Sequence, residues 1–425
     1  MSQNKTISDV VVIGGGPAGM IAAGRAAEKG KIVLLLEKNQ TLGKKLLITG
    51  GGRCNVTNNK PNVRQILAKY KESDKFLFSV FSQFGVTETI NFFAERGMPM
   101  KEENEGRMFP VSNKAKTVFN VLVKYIKNAG VKVKTNSAVI KISFNQNSKQ
   151  FAITLADKTI IHAHKCIVAT GGTSRPESGS TGEGFKWLKD LGHTIKENDV
   201  ALVPITLKDE WAKRLAGVTL DNVKMTVYKG IEKCFAKEGK LLFTHVGISG
   251  PTVLNMSSEV GELLNTAEGA DYAEKADVTI KLDLFPNLDP SALKQKLQTI
   301  LTEQSNKKIK NTLSMLVRPA MVEPILTLSG IDGEIFNHSV KSQERKTLVS
   351  LLKAVILNVD GLLGKDKAVV SSGGVILSEV DFKTMQSRIL PQLYLVGDVL
   401  NINRPSGGYS LQVCWTTGYV AGSSC

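Results

Sequence analysis

Residues 9–39 read DVVVIGGGPAGMIAAGRAAEKGKIVLLLEKN, and this run restricts the fold more tightly than any other in the chain. An apolar strand enters three glycines and a proline, an alanine-rich helix follows, and a second strand ends on Glu37. Gly14, Gly16 and Gly19 satisfy G-x-G-x-x-G, with Pro17 and Ala18 between the last two. The first glycine permits the tight turn, the second lets a diphosphate approach the backbone, and the third lets helix and strand pack closely. The helix N-terminus favours the phosphate charge. Glu37 stands 18 residues beyond Gly19, where a carboxylate accepts from a ribose hydroxyl. Strand, glycines, helix, strand and acid in one register predict a dinucleotide cradle. A free ribose hydroxyl at Glu37 suits FAD or NAD better than NADP.

The far end of the chain separates those two. LPQLYLVGDVL, residues 390–400, sets Gly397 and Asp398 directly after a second buried strand. An acid there is placed for a ribityl hydroxyl, which FAD has and NAD lacks. No further strand–GxGxxG–helix unit occurs, so NAD(P)H is expected as a transient reductant that visits the flavin directly.

The expected architecture is α/β, a Rossmann-like FAD domain split in sequence. A chain of 425 residues exceeds one ordinary core. Helical spacing predicts helices at 63–70, 74–84, 86–96 and 114–130, and strands at 131–134, 138–144, 151–155, 159–162 and 166–169. From about 199 the texture becomes short antiparallel strands. From Asp289 to about Val359 it becomes helical, with Asp289 as N-cap and Pro290 at the first helical position. Strand signals return at 368–370 and 393–396. This gives a FAD-binding domain over 1–198 and 359–425, and an insert over 199–358 that divides at 288/289.

Composition bounds the function. No apolar run reaches the roughly 18 residues a membrane helix needs. The N-terminus is polar, without a secretory pattern. Five widely spaced cysteines with no C-x-x-C argue against a disulfide framework or a metal site and for a reducing cytoplasm. The net charge of +16 invites a polyanionic partner. Against that, only eleven of 55 basic residues are arginine, and the lysines are dispersed.

Four further stretches carry a resemblance: GKKLLITGGGRCNVTN (43–58), GRMFPVSNKAKTV (106–118), LLFTHVGISGPTVL (241–254) and SGGYSLQVCWTTGYVAG (406–422). By these the chain resembles the BaiN-like (BaiN/RdsA) family of NAD(P)/FAD-dependent flavoproteins over essentially its whole length. The resemblance implies a FAD domain of the two-dinucleotide-binding type, with an insert made of a β-barrel (199–288) and a helical part (289–358). It implies that Gly14, Gly16, Gly19, Glu37 and Lys38 serve adenosine and diphosphate. Lys44, Lys45, Gly51, Gly52, Arg53, Cys54 and Asn55 would lie along the flavin side. Val139 would meet adenine through its backbone, with Thr170 and Gly171 at the same end. Gly397, Asp398, Gly408, Tyr409, Leu411 and Gln412 would hold the ribityl chain and the ring. One stretch departs: the family commonly has an acidic, glycine-containing segment and an Asn after the Gly-Gly-aromatic step, where this chain reads NINRPSGGYS. That departure bears on substrate choice beside the ring.

Read by themselves, the same residues have roles and plain alternatives. Arg53 after three glycines offsets negative charge on a reduced flavin or a diphosphate, or is a surface arginine. Cys54 is a proton donor or redox thiol, or a small packing residue. Gly407 and Gly408 aim a positive helix end at the flavin. The segment 180–193 is an anion-binding helix start or a plain turn. His245 is an acid or base facing substrate, or a structural histidine. His162 and His164 share one strand face and read as solvent-exposed. The catalytic candidates are therefore Cys54, Tyr409 and His245.

The leading expectation is a FAD-dependent oxidoreductase that uses NAD(P)H-derived hydride to saturate an electron-poor C=C bond. By the resemblance, the substrate is uridine in ribosomal RNA, which becomes dihydrouridine, or a steroid-type enone. The charge favours the RNA, with a basic insert neutralising phosphates. The alternatives are an amine oxidase passing electrons to oxygen and a flavin-holding RNA-binding protein without turnover.

Overall fold

The computed structural model describes residues 8–60, 62–196, 202–265, 277–363 and 373–425. The chain divides into two compact units, Met1–Ala201 with Lys365–Cys425, and Leu202–Gly364.

The first unit begins with β1 (Ser8–Ile13), α1 (Pro17–Glu28) and β2 (Val33–Leu36). After β3 (Thr57–Asn58) come α2 (Val63–Leu67), α3 (Asp74–Gln83) and α4 (Val86–Ala94). A hairpin of β4 (Met100–Glu103) and β5 (Arg107–Pro110) pairs with β3, and α5 (Ala115–Asn128) follows. Then come β6 (Lys132–Lys134), β7 (Val139–Asn145), β8 (Gln150–Leu155), β9 (Ile160–Val168), α6 (Glu183–Asp190) and β10 (Ile195–Lys196).

β1 lies parallel between β2 and β9, and β6 lies parallel outside β2. β8 and β7 continue antiparallel from β9. The residues Val10, Val11 and Val12 are fully buried, as a strand covered on both faces requires. Two strands expected at 159–162 and 166–169 form one nine-residue strand, β9, whose first half pairs with β8 and whose second half pairs with β1. The small sheet of β3, β4 and β5 was not anticipated. Its strands are two to four residues long, too short for alternation to register.

The second unit contains β11 (Ile205–Leu207), α7 (Glu210–Arg214), β12 (Thr219–Lys229), β13 (Glu232–Thr244), β14 (Gly247–Ser249) and α8 (Pro251–Asn265). It continues with β15 (Val278–Asp283), α9 (Pro290–Glu303), α10 (Ile309–Leu313), α11 (Pro319–Ser329), α12 (Ser342–Lys353) and β16 (Val355–Leu362). The six strands close into a barrel in the order β11-β14-β13-β12-β15-β16. Alternate residues Val223, Met225 and Val227 of β12 and Val278, Ile280 and Leu282 of β15 fill it. Asp289 caps α9, its side chain accepting from Ala292 N–H at 2.8 Å, with Pro290 next. The helical pattern does not run to Val359. β-Branched Val355, Ile356 and Val359 form β16 instead, which carries the barrel to Leu362.

The chain returns to the first unit through β17 (Gly374–Val375), β18 (Leu393–Leu395) and α13 (Tyr409–Ser424). The strand signal at 368–370 lies outside the described residues. β18 adds parallel to β9. α13 is apolar and buried on almost every side, and it packs against α1 at very close range. A methyl group on Gly418 would stand 2.5 Å from the Ala18 carbonyl oxygen, and one on Gly422 would stand 2.5 Å from that of Ala22. Glycines four apart on one helix thus let the backbones of the first and last helices touch. Among the described residues no helix is long and apolar enough to cross a membrane. No group of His, Cys, Asp or Glu there could hold a metal ion.

Candidate functional site

The glycine turn sits between β1 and α1. Gly14 has φ +107°, and a methyl group there would meet the Ala169 carbonyl oxygen at 2.5 Å. Gly19 packs closer still, its added methyl lying 1.9 Å from the Gly14 oxygen. Gly16, by contrast, faces open space. The turn is therefore closed on the protein side and bare on the other, at the first turn of α1, where Pro17 and Ala18 begin the helix. Glu37 is buried beside it. Its Oε2 accepts from Gly15 N–H at 2.8 Å, and its Oε1 accepts from the Asn39 backbone and side chain at 2.8 and 2.7 Å. A carboxylate has about four acceptor positions, so roughly one remains for a hydroxyl.

Next to Glu37, Lys38 Nζ donates to Thr181 Oγ1 and Glu183 Oε2, both at 2.7 Å. That ties the end of β2 to the start of α6. Val139 is buried at the head of β7. Thr170 Oγ1 is buried without a hydrogen-bond partner, and Gly171 follows at φ +75°.

A second bare stretch runs through Gly50, Gly51 and Gly52, all at positive φ, and nothing lies within 4 Å of a methyl group added to Gly51 or Gly52. Arg53 does not reach out from this loop. It pairs with Glu103, donates to Asn113 Oδ1 at 2.8 Å and stacks over Phe109 at 4.1 Å. Cys54 is fully buried, and its thiol is pushed up to about 12 by that burial, against a hydrogen bond from Thr49. Asn55 Oδ1 is buried and unpartnered.

The third part comes from the end of the chain. Gly397, at φ +70°, donates its N–H to Thr417 Oγ1 at 3.0 Å. Asp398 Oδ2 lies 3.8 Å from Lys45 Nζ, and Lys45 also donates to Ser174 Oγ at 3.0 Å. Lys44 turns away to the Glu177 carbonyl at 2.7 Å. Burial pushes the Lys45 ammonium below its usual range, while the Asp398 carboxylate pulls it back.

Asp398 has a second cation that sequence reasoning missed. Arg404 is almost wholly buried, with Nη2 3.0 Å from Asp398 Oδ1 in an ion pair that lacks hydrogen-bond alignment. Arg404 Nε and Nη1 and Asp398 Oδ1 are all left without hydrogen-bond partners. Orphaned buried donors of this kind cost on the order of 1–3 kcal/mol each, more for charged groups. One carboxylate between two cations, with spare donors and a spare acceptor, suits a ligand bearing both hydroxyls and negative charge. The signal was present as an arginine inside the departing NINRPSGGYS stretch, but nothing local ties it to Asp398.

Gly407 and Gly408, at φ +113° and +98°, cap α13. Tyr70 Oη donates to the Tyr409 carbonyl at 2.9 Å. Burial also raises the Tyr409 phenol to about 12, with Glu105 adding to it. Leu411 is buried. Gln412 spends its amide inside the core. Its Oε1 accepts from Thr57, and its Nε2 donates to Gly85 O, Thr89 Oγ1 and Thr416 Oγ1 at 2.9–3.1 Å. Its side chain therefore anchors α13 against α4 and β3. His245 belongs to the second unit, exposed at the turn between β13 and β14. Cys54 and Tyr409 both belong to the first.

A mixed sheet with β1 in its parallel part, bare glycine turn, terminal acid and late Gly-Asp define an FAD-dependent oxidoreductase with a Rossmann-like FAD-binding fold. The chain belongs to the HI0933-like protein Rossmann domain family, which it matches over residues 8–424. It is 30% identical over 413 residues to a 3-dehydro-bile acid delta(4,6)-reductase of Clostridium scindens, covering 97% of each chain. It is 29% identical over 421 residues to a ribosomal RNA dihydrouridine synthase of Escherichia coli, covering 97% of this chain and 96% of that one. Among solved structures, its fold is similar to a 3-ketosteroid delta1-dehydrogenase from Sterolibacterium denitrificans, with TM-score 0.55 at 13% identity and 98% of each chain covered.

Proposed function

We propose that this protein reduces an electron-poor C=C bond with hydride drawn from NAD(P)H, and that its substrate is the uracil ring of uridine in ribosomal RNA. Two relatives matched over nearly their whole length are named a 3-dehydro-bile acid delta(4,6)-reductase and a ribosomal RNA dihydrouridine synthase, which supports reduction of a C=C bond. The observation that selects RNA is the charge of the first unit. Of the chain's charged residues, 35 basic and 20 acidic fall in that unit, a surplus of 15. The insert has 20 basic and 19 acidic residues, a surplus of one. The expectation of a basic insert is therefore corrected: the excess lies with the nucleotide-binding fold.

When bound, FAD supplies two-electron transfer between a nicotinamide and an activated carbon. The chain's residues do the rest. The bare N–H groups at Gly16 and the start of α1 bind the diphosphate. Glu37 takes an adenosine ribose hydroxyl. Asp398 Oδ1 takes a ribityl hydroxyl, and Arg404 offers its spare N–H groups to the neighbouring anionic oxygen. The glycines 50–52 leave room for a flat ring to lie against the backbone.

Saturation consumes one hydride and one proton, and NAD(P)H leaves as NAD(P)+. Of the residues in the first unit, Tyr409 is the better proton holder. Both are buried and keep their protons at neutral pH, but Tyr409 opens α13 beside Gly407 and Gly408 and retains slight exposure, where Cys54 has none. We place the reaction in the cytoplasm, where NAD(P)H and ribosomal RNA meet.

The test is anaerobic. The yellow protein is bleached with NADPH or NADH and then offered either large-subunit ribosomal RNA lacking dihydrouridine or a 4-ene-3-keto steroid. Reoxidation by the RNA, with dihydrouridine appearing by mass spectrometry, supports the reading. Reoxidation by the steroid alone overturns it in favour of an enone reductase, the reading the Clostridium scindens relative favours. Tyr409→Phe should retain NADPH-driven bleaching and lose acceptor-driven reoxidation by about 10²-fold.

A further inference from the structure

The surplus charge of the first unit is not spread evenly. Residues 107–156 are fifty consecutive positions with nine basic side chains and no acidic one. They fold into β5, α5, β6, β7 and β8. On α5 the exposed positions include Lys116, Asn120, Lys124 and Lys127, spaced i, i+4, i+8 and i+11, which is one face of a helix. Along the axis that stripe spans about 16 Å at 1.5 Å per residue. Lys132 and Lys134 follow shortly after α5 and are exposed on β6, an edge strand of the sheet.

In the insert several cations are matched, Lys237 with Glu259, Lys240 and Arg318 with Asp221, Lys308 and Lys310 with Glu334, while Lys294, Lys296 and Lys346 stand exposed at scattered positions of α9 and α12. Among the described residues, none of Lys116, Lys124, Lys127 and Lys132 is within ion-pair range of an acid. Hydrogen bonds from Thr159 hold the Asp157 carboxyl below its usual range, and Lys134 adds a smaller effect. The opposite face of α5, with Val118, Leu122 and Ile126, is buried in the core, so the helix has no spare apolar side to insert in a bilayer.

We propose that the α5–β6 face is where the RNA backbone docks, its phosphates lying along the row of unpaired lysines. The inference rests on the RNA reading above and adds the surface. Neutralising phosphates releases counterions, so binding must weaken steeply with salt, with a slope of about −0.7 per contact for single strands.

The test uses full-length FAD-loaded protein and a fluorescently labelled 20-nucleotide single-stranded RNA, with anisotropy measured from 50 to 300 mM KCl. K116E/K124E/K127E is compared with K294E/K296E/K346E, which changes the charge equally on exposed insert positions. The α5 variant should bind at least tenfold more weakly at 100 mM, and its salt slope should fall by about 2. The insert variant should stay within twofold of the parent. K116Q/K124Q/K127Q should show an intermediate loss with an unchanged circular dichroism spectrum, which separates lost docking from lost folding. NADPH-driven bleaching should be equal in all four proteins.

Equal losses in the α5 and insert variants would overturn the inference, because net charge would then suffice. So would parent-like RNA binding by the α5 variant, or parent protein that binds phosphatidylglycerol vesicles and not RNA. If RNA docks through this face but no dihydrouridine forms, the uridine reading fails and the docking surface stands. If the α5 variant makes dihydrouridine at the parent rate with parent affinity, the docking surface fails alone.

Discussion

The two units are built to different ends. The barrel unit fills its interior with alternating aliphatics, and its 20 basic and 19 acidic residues nearly cancel. The nucleotide-binding unit leaves a buried arginine with idle donors, a buried carboxylate oxygen with nothing to accept, and glycine backbone facing open space. Among the described residues the barrel unit leaves isolated buried oxygens on Thr244, Glu259 and Asn337 without hydrogen-bond partners, but no buried guanidinium. A region that holds a buried guanidinium idle is finished only when a ligand arrives.

Substitutions can break or sharpen that contrast. The largest effect is expected at the α1–α13 seam. Gly418→Val places a branched side chain where even one methyl meets Ala18 backbone at 2.5 Å. It should cost about 3 kcal/mol or more of stability and abolish FAD retention, read by urea denaturation and flavin absorbance. Leu282→Ala inside the barrel should cost about 2–5 kcal/mol and leave FAD affinity unchanged.

Next in size is Arg404→Met. Removing a buried, under-used guanidinium should leave apo-protein stability nearly unchanged, because Lys45 still faces Asp398. It should weaken FAD binding by at least tenfold in a fluorescence titration. A variant that loses apo stability and keeps parent FAD affinity would make Arg404 a structural residue only.

A smaller effect concerns pH. His193 is buried, with Nε2 2.8 Å from Ser387 Oγ, and burial holds it below its ordinary 6.5. The unfolded chain thus takes up this proton first, so the contribution of His193 is complete above about pH 6.5 and is lost as pH falls below it. The urea midpoint should drop between pH 6.5 and 5, and His193→Gln should flatten that drop. The smallest effect is chemical. Iodoacetamide on native protein at pH 8 should label Cys234 of the insert and spare buried Cys54, Cys166, Cys414 and Cys425, as peptide mass spectrometry would show.

Much of the nucleotide fold was legible because its signals are local. The turn from Gly14 to Gly19 and the acid at Glu37 depend on a single β-α-β unit, and Asp289 announces α9 within four residues. What escaped depends on distant parts of the chain. Arg404 gains meaning only where the loop before α13 passes Asp398 and Lys45. Gln412 reads as a cofactor residue, and only the fold shows that Thr57, Gly85 and Thr89 engage its side-chain amide. Arg53 likewise looks free in the sequence, and Glu103, Asn113 and Phe109 are needed to tie it down. The charge asymmetry was countable from the start, but only domain boundaries make the count informative.

The glycines at 418 and 422 also bear on the order of events during synthesis. α1 (Pro17–Glu28) leaves the ribosome long before α13 (Tyr409–Ser424), the helix that must lie against its backbone. The sheet and its phosphate turn therefore wait, with one flank bare, until α13 has been made. Cofactor capture becomes a late checkpoint, passed only by chains translated through α13.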